Sequence, residues 1–192
     1  MNFEHDIERS LAVLQSGGLI LYPTDTIWGI GCDATDPAAV ARVYQLKQRE
    51  AAKSLIVLMA DKRDIVKYTS QPDLRIFDFL ATVKKPTTVI YEGALGLAAN
   101  LVNSDGSIAI RIVNDDFCRH LIKRFRKPIV STSANFSGDP TPAFFKEIDP
   151  RIKAGVDYMV EHRRDDETPR EPSAIVKWNS EGEPTIIRPS SM

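Results

Sequence analysis

The sequence predicts an α/β fold, a single domain over residues 1–192 with one twisted, mixed β-sheet flanked by helices. Three observations carry this. Short apolar runs alternate along the chain with segments whose apolar residues recur at helical spacing. The last two runs, "SAIVKW" at 173–178 and "TIIRP" at 185–189, follow one another across the turn "NSEGEP" with no helix between, so the sheet is mixed rather than purely parallel. A chain of 192 residues, 43% hydrophobic and 27% charged, is long and apolar enough to bury a real core.

Each element has a local reason. Residues 4–15 place Ile7, Leu11 and Leu14 at helical spacing, and Gly17-Gly18 end that helix. "LILYPT" at 19–24 is a short strand stopped by Pro23. Asp36-Pro37 is an N-cap followed by a first-turn proline, and the helix it opens aligns Val40, Val43, Tyr44 and Leu46. "SLIVLMA" at 54–60 reads as a buried strand. A helix near 73–81 precedes the strand "TTVIYEG", and "SIAIRIV" at 107–113 is a strand carrying Arg111. Residues 115–126 form a helix and "KPIVSTSA" at 127–134 a further strand.

Several function classes are disfavoured. A net charge of −1 argues against a bulk electrostatic grip on nucleic acid, while leaving room for a local basic face. Apolar runs such as "LIVLMA" are far too short to cross a bilayer, and the start "MNFEHDIERS" has no secretory apolar region. Cys32 and Cys118 are isolated, which points to a reducing, cytoplasmic setting. His5, His120 and His162 lack metal-ligand spacing, and no catalytic triad, zinc signature or Walker loop is visible. Chemistry on this chain would rest on positioning and charge neutralisation rather than on a protein nucleophile.

Four stretches are candidates for that chemistry. "YPTDTIWGIG" at 22–31 leaves the first strand with hydroxyls, Asp25 and flexible backbone, either a binding loop at a strand end or a self-capped turn. Lys47, Arg49 and Lys53 collect where a helix ends and a strand begins, as a solvated helix terminus or as a fork for an anion. "STSANFSGDPTP" at 131–142 stacks Ser131, Thr132, Ser133 and Asn135 at a strand end, as ligand donors or as a local turn. Arg111, within an apolar strand, needs an internal carboxylate or an anionic ligand. The basic "RHLIKRFRK" at 119–127 reads as a solvated helix end or, as the lesser alternative, a surface for a tRNA or protein partner, and "EHRRDDETPREP" at 161–172 as a mobile surface loop or, as the lesser alternative, a lid.

Taken together, "GGLILYPTDTIWGIGCDA", "KQREAAKSLIVL", "SIAIRI", "PIVSTSANFSGDPTP" and "PSAIV" resemble the YrdC/Sua5 family in order and spacing from about residue 8 to 189. The resemblance implies a twisted mixed sheet around a large cationic cavity, the YrdC/RibB-like fold. It implies an L-threonylcarbamoyladenylate synthase, which makes threonylcarbamoyl-AMP and pyrophosphate from L-threonine, bicarbonate (or CO2) and ATP with Mg2+. The product would feed threonylcarbamoylation of adenosine 37 in tRNA through a downstream transfer complex, and binding of tRNA or double-stranded RNA is a further implied property. By the same resemblance Lys47, Arg49 and Lys53 hold the ATP phosphates, with Lys47 and Arg49 as the catalytic pair. Ser107, Ser133, Asn135, Thr141 and Arg188 line the nucleotide. Thr26, Arg111, Ser131 and Ser173 surround threonine, and Tyr22 and Pro86-Thr87-Thr88 shape the pocket. Ser54, Leu58 and Ala174 stand where many members have proline, histidine and threonine. Leu58 and Ala174 motivate the alternative, a YciO-like RNA- or nucleotide-binding protein without synthase activity.

Overall fold

The computed structural model describes residues 3–50, 54–70, 72–178 and 182–189. Among the described residues nine strands form one sheet: β1 (Ile20–Tyr22), β2 (Gly29–Gly31), β3 (Ile56–Met59), β4 (Thr87–Tyr91), β5 (Ile108–Ile112), β6 (Ile129–Ser133), β7 (Tyr158–Met159), β8 (Ala174–Trp178) and β9 (Pro184–Arg188). Their order across the sheet is β7-β1-β2-β6-β3-β5-β4-β8-β9. Strands β3 and β5, β4 and β8, and β1 and β7 pair parallel, whereas β8 and β9 form the antiparallel closing pair expected from the missing helix. The α/β class and the mixed sheet are as the sequence predicts.

The helices are α1 (Glu4–Gln15), α2 (Pro37–Leu46), α3 (Arg75–Thr82), α4 (Asp116–Phe125) and α5 (Pro150–Ala154). Helix α2 starts as expected, with the Asp36 carboxylate accepting from Ala38 N at 2.8 Å and Ala39 N at 3.3 Å. Helix α4 is capped by Asp115, whose Oδ1 accepts from Cys118 N at 2.9 Å. Helix α1 runs out into Gly17, whose φ of +74° lets the chain turn back toward the sheet.

Strand alternation sends side chains to two faces. On one, Val57, Met59, Val89, Ile108, Ile110 and Val130 pack with Val40 and Val43 of α2 and Ile76 of α3. On the other, Ile20, Tyr22, Leu58 and Ile129 pack under Ile7 and Leu14 of α1 and Phe117, Cys118 and Leu121 of α4. Helices α1 and α4 cover only the β1–β6–β3 half of this second face. Register carries the same face on to Ile56, Ala109, Ile90 and Ile175. There, among the described residues, no helix lies over the sheet, and a cavity opens.

The sequence predicts a loop at "WGIG", yet Gly29–Gly31 is β2, paired antiparallel with both β1 and β6. Glycine has little strand preference of its own, so only the flanking strands could reveal this element. Its glycines are needed for close approach. A Cβ on Gly31 would lie 2.6 Å from Cε1 of Tyr22, whose fully buried ring crosses β2 to donate from its hydroxyl to Val130 O at 3.1 Å.

Candidate functional site

The cavity over the uncovered half-sheet has a volume of about 300 Å³. Its floor is apolar, from Ile56, Ile90, Ala109 and Ile175, and its walls carry Thr26, Ser131, Thr132, Ser133, Thr141 and Ser173. Three guanidinium groups face it, Arg49, Arg111 and Arg188, and among the described residues no carboxylate lines it. Size and lining suit a small molecule with an apolar part and several negative charges.

The end of α2 directs two cations apart. Lys47 is the helix's last cap, and Gln48 turns left-handed at φ +49°. Lys47 thereby points under the β6 exit and Arg49 points into the cavity. The Lys47 side chain is 1% exposed and does not line the cavity. Its Nζ donates to Ser133 O, to Asn135 O at 2.6 Å and to Asn135 Oδ1 at 3.3 Å, while its own carbonyl accepts from Ser137 N at 2.9 Å. Burial, and then the nearby Arg49 charge, push this lysine down to about 7. A solvated helix terminus, one reading of these cations, therefore does not describe Lys47. Arg49 donates from Nη2 to Ser54 O at 2.9 Å, and burial lowers its pKa. Lys53 lies outside the described residues.

At the opposite pole Arg111 is 4% exposed. Its Nη1 donates to Thr26 Oγ1 at 3.1 Å, its Nη2 stands 3.3 Å from Asp25 Oδ1, and its Nε has no hydrogen-bond partner. Asp25 Oδ2 in turn accepts from Asn114 N at 3.0 Å. The partner anticipated for Arg111 is thus internal, but it leaves donor capacity unused in a buried cation on the cavity wall.

Proton accounting in this loop is determinate. Thr24 Oγ1 must donate to Ile27 O at 2.8 Å, because a carbonyl cannot donate. Across the 2.9 Å contact between Thr24 and Thr26 the hydroxyl proton then belongs to Thr26. Thr26 has no proton left for a ligand and one lone pair free. It can accept from an N–H but cannot bind a carboxylate.

Ser173 precedes β8, and its Oγ lies 2.8 Å from Thr88 Oγ1 of β4, with both residues buried. Arg188 donates to Ser173 O from Nη2 at 2.7 Å and Nε at 3.2 Å, and its pKa is lowered, first by burial and then by Arg111.

Of the sequence candidates, Thr26, Arg49, Arg111, Ser131, Ser133, Thr141, Ser173 and Arg188 share this cavity. Lys47, Asn135 and Ser107 stand behind its wall. Asn135 accepts from Lys47 and donates to Asp139 O at 2.7 Å. Ser107 Oγ accepts from Asn103 Nδ2 at 2.9 Å, and Asn103 Oδ1 accepts from Ser54 Oγ at 2.6 Å. Asn103 is not marked as a site residue by the sequence beyond its place in the polar turn "NSDG", and pairing with Ser54 across 49 residues brings it to the wall. Tyr22 does not line the cavity but packs under α1 and α4, and burial raises its hydroxyl pKa well above the usual tyrosine value. Pro86 and Thr87 line an adjoining cavity of about 590 Å³ together with Lys62, Lys84, Lys85, Arg119 and Asp25. Leu58 is fully buried and pairs across with Arg111, without lining the cavity.

Among the described residues, no group of three or more His, Cys, Asp or Glu side chains is arranged to hold a metal ion. Also among them, no helix is long and apolar enough to cross a membrane.

Comparison with known proteins places this architecture. The Sua5/YciO/YrdC family model, described as "Telomere recombination", matches residues 12–190. A threonylcarbamoyl-AMP synthase from Stenotrophomonas maltophilia is 34% identical over 152 residues, covering 78% of this chain and 82% of that protein. A second, from Xanthomonas euvesicatoria, is 33% identical over 159 residues, covering 81% and 85%. The structure of P. abyssi Sua5 complexed with L-threonine superposes with a TM-score of 0.85 at 21% identity, covering 97% of this chain and 54% of the longer Sua5 chain. E. coli YciO superposes with a TM-score of 0.83 at 20% identity, covering 97% and 89%. These two likenesses show the fold. With the family model spanning nearly the whole sequence and curated relatives above 30% identity, the chain belongs to the Sua5/YciO/YrdC family.

Proposed function

We propose that the protein is an L-threonylcarbamoyladenylate synthase acting in threonylcarbamoylation of tRNA position 37. The observation that carries this is the cavity with, among the described residues, three arginines, seven hydroxyl-bearing residues, an apolar floor and no carboxylate. The names of the curated relatives support the reading.

In the proposed reaction the threonine amine adds to CO2 and loses a proton, giving a carbamate. A carbamate oxygen attacks the α-phosphorus of ATP, and pyrophosphate leaves. When bicarbonate supplies the carbon, one water is released. The reactants are anionic, so their approach in water is opposed by repulsion; oriented cations in a dry site reduce it. Arg111 would take the threonine carboxylate with its unused N–H, and Thr26 would accept from the amine. Ser131 and Ser173 would complete the threonine side. Arg49 would contact the phosphates, with Ser133, Thr141 and Arg188 around the nucleotide. Lys47 would act with Arg49 by holding the Ser133 and Asn135 carbonyls, and Asn135 and Ser107 would act from behind the wall. Lys53 would be a third phosphate contact, as the family resemblance implies. Mg2+ would arrive with ATP, sharing the phosphate charge. A cytoplasmic location, a downstream tRNA transfer complex, and contact with tRNA or double-stranded RNA follow from this reading as further proposals.

The test is pyrophosphate release from Mg-ATP by the purified chain. Release that requires threonine and bicarbonate together is expected. Nucleotide binding without release would instead favour the YciO-like reading.

A further inference from the structure

Arg163 follows β7 in the stretch that the sequence suggests is a mobile loop. Its backbone is left-handed, with φ +66°, a region costly for a side chain with a Cβ and retained where surrounding contacts over-determine it. Those contacts are present. The Asp6 carboxylate accepts from Glu161 N at 2.8 Å and His162 N at 2.9 Å, fixing the preceding backbone to α1. The Arg163 side chain, 19% exposed, then crosses to two other elements. Its Nη1 donates to Asp115 Oδ2 at 2.8 Å and its Nη2 to Thr24 O at 2.5 Å.

Both acceptors bear on the carboxylate pole of the cavity. Thr24 is the first member of the hydroxyl relay that ends on Arg111 Nη1. Asp115 caps α4 beside Asn114, whose N–H holds the Asp25 carboxylate facing Arg111 Nη2. One planar fork therefore ties together the two supports of the Arg111 guanidinium without touching the cavity. We propose that Arg163 is a positioning residue for the carboxylate-binding pole, holding the Thr24–Thr26 loop and the α4 cap in the register that aims Arg111. The inference rests on the reading of Arg111 as a substrate-carboxylate site.

Two variants and two readouts test it. Arg163→Met keeps the aliphatic stem and removes both donors; Arg163→Gly removes the side chain and also relieves the left-handed backbone. In both, amide hydrogen exchange at Thr26, whose N–H donates to Thr24 Oγ1 at 3.0 Å, is expected to quicken by about tenfold or more. Exchange at Val57 in β3 should stay as in the wild type. In turnover, the KM for threonine should rise by about tenfold while the KM for ATP stays within about twofold. Wild-type protection at Thr26 in both variants would overturn the proposal, as would equal rises in both KM values. If the wild type proves inactive as a synthase, the proposed function fails, and the exchange measurement still decides whether Arg163 holds this loop.

Discussion

The hydroxyls of Thr88 and Ser173 meet at 2.8 Å inside the sheet, joining β4 to the start of β8 across 85 residues of sequence. The contact sets Ser173, whose carbonyl also receives Arg188, at the edge of the cavity. Ser173→Ala should leave the Thr88 hydroxyl buried without this partner and lower stability by about 1–2 kcal/mol. Thr88→Val together with Ser173→Ala should lose less than the sum of the single changes, measured as urea unfolding in a double-mutant cycle. Strict additivity would mean that the contact carries no energy.

Arg49 faces the cavity and donates to the backbone carbonyl of Ser54. Arg49→Ala should therefore reduce pyrophosphate release at least about a hundredfold while shifting the melting temperature by only a few degrees. Turnover close to wild type would remove Arg49 from the phosphate grip.

Lys47 offers a pH test. Its pKa is lowered from the ordinary 10.5 to about 7, chiefly by burial. Between about pH 7 and 10.5 the unfolded chain holds a proton that the folded chain has released, so the contribution of this residue makes stability rise with pH across that window. A neutral amine still donates to the Ser133 and Asn135 carbonyls. Lys47→Met should abolish this pH-dependent gain and, by stranding both acceptors, destabilise by roughly 1–3 kcal/mol per carbonyl. Urea denaturation at pH 7, 8 and 9 for both proteins measures the two effects; parallel curves would refute the linkage.

Gly31 is the tighter of the two glycine approaches in β2. Gly31→Ala would place a methyl carbon 2.6 Å from the Tyr22 ring and 2.8 Å from Val130 O, neither of which has room to withdraw. Destabilisation of about 1–3 kcal/mol is expected by thermal or urea unfolding. A change below about 0.5 kcal/mol would show that β2 can move.

Much of this protein is local and so was readable from its residues. The N-cap at Asp36-Pro37, the helical spacing of Ile7, Leu11 and Leu14, and the alternation of "SIAIRIV" each act over a few residues, and α1, α2 and β5 form where they indicate. The motifs around Thr26, Arg49, Ser133 and Ser173 were legible as chemistry because hydroxyls and cations gather at strand ends, and these residues do share one cavity. What the tertiary structure decided depends on partners distant in sequence. Strand β2 exists only between its neighbours. Asn103 reaches the wall only beside Ser54. Lys47 and Arg49, two residues apart and alike in charge, separate because one left-handed residue at Gln48 sends the first beneath the β6 exit and the second into the cavity. Sequence alone specifies which charges are available; the direction each one faces is set by packing between elements, where burial and unpaired acceptors far along the chain determine the lowest free energy.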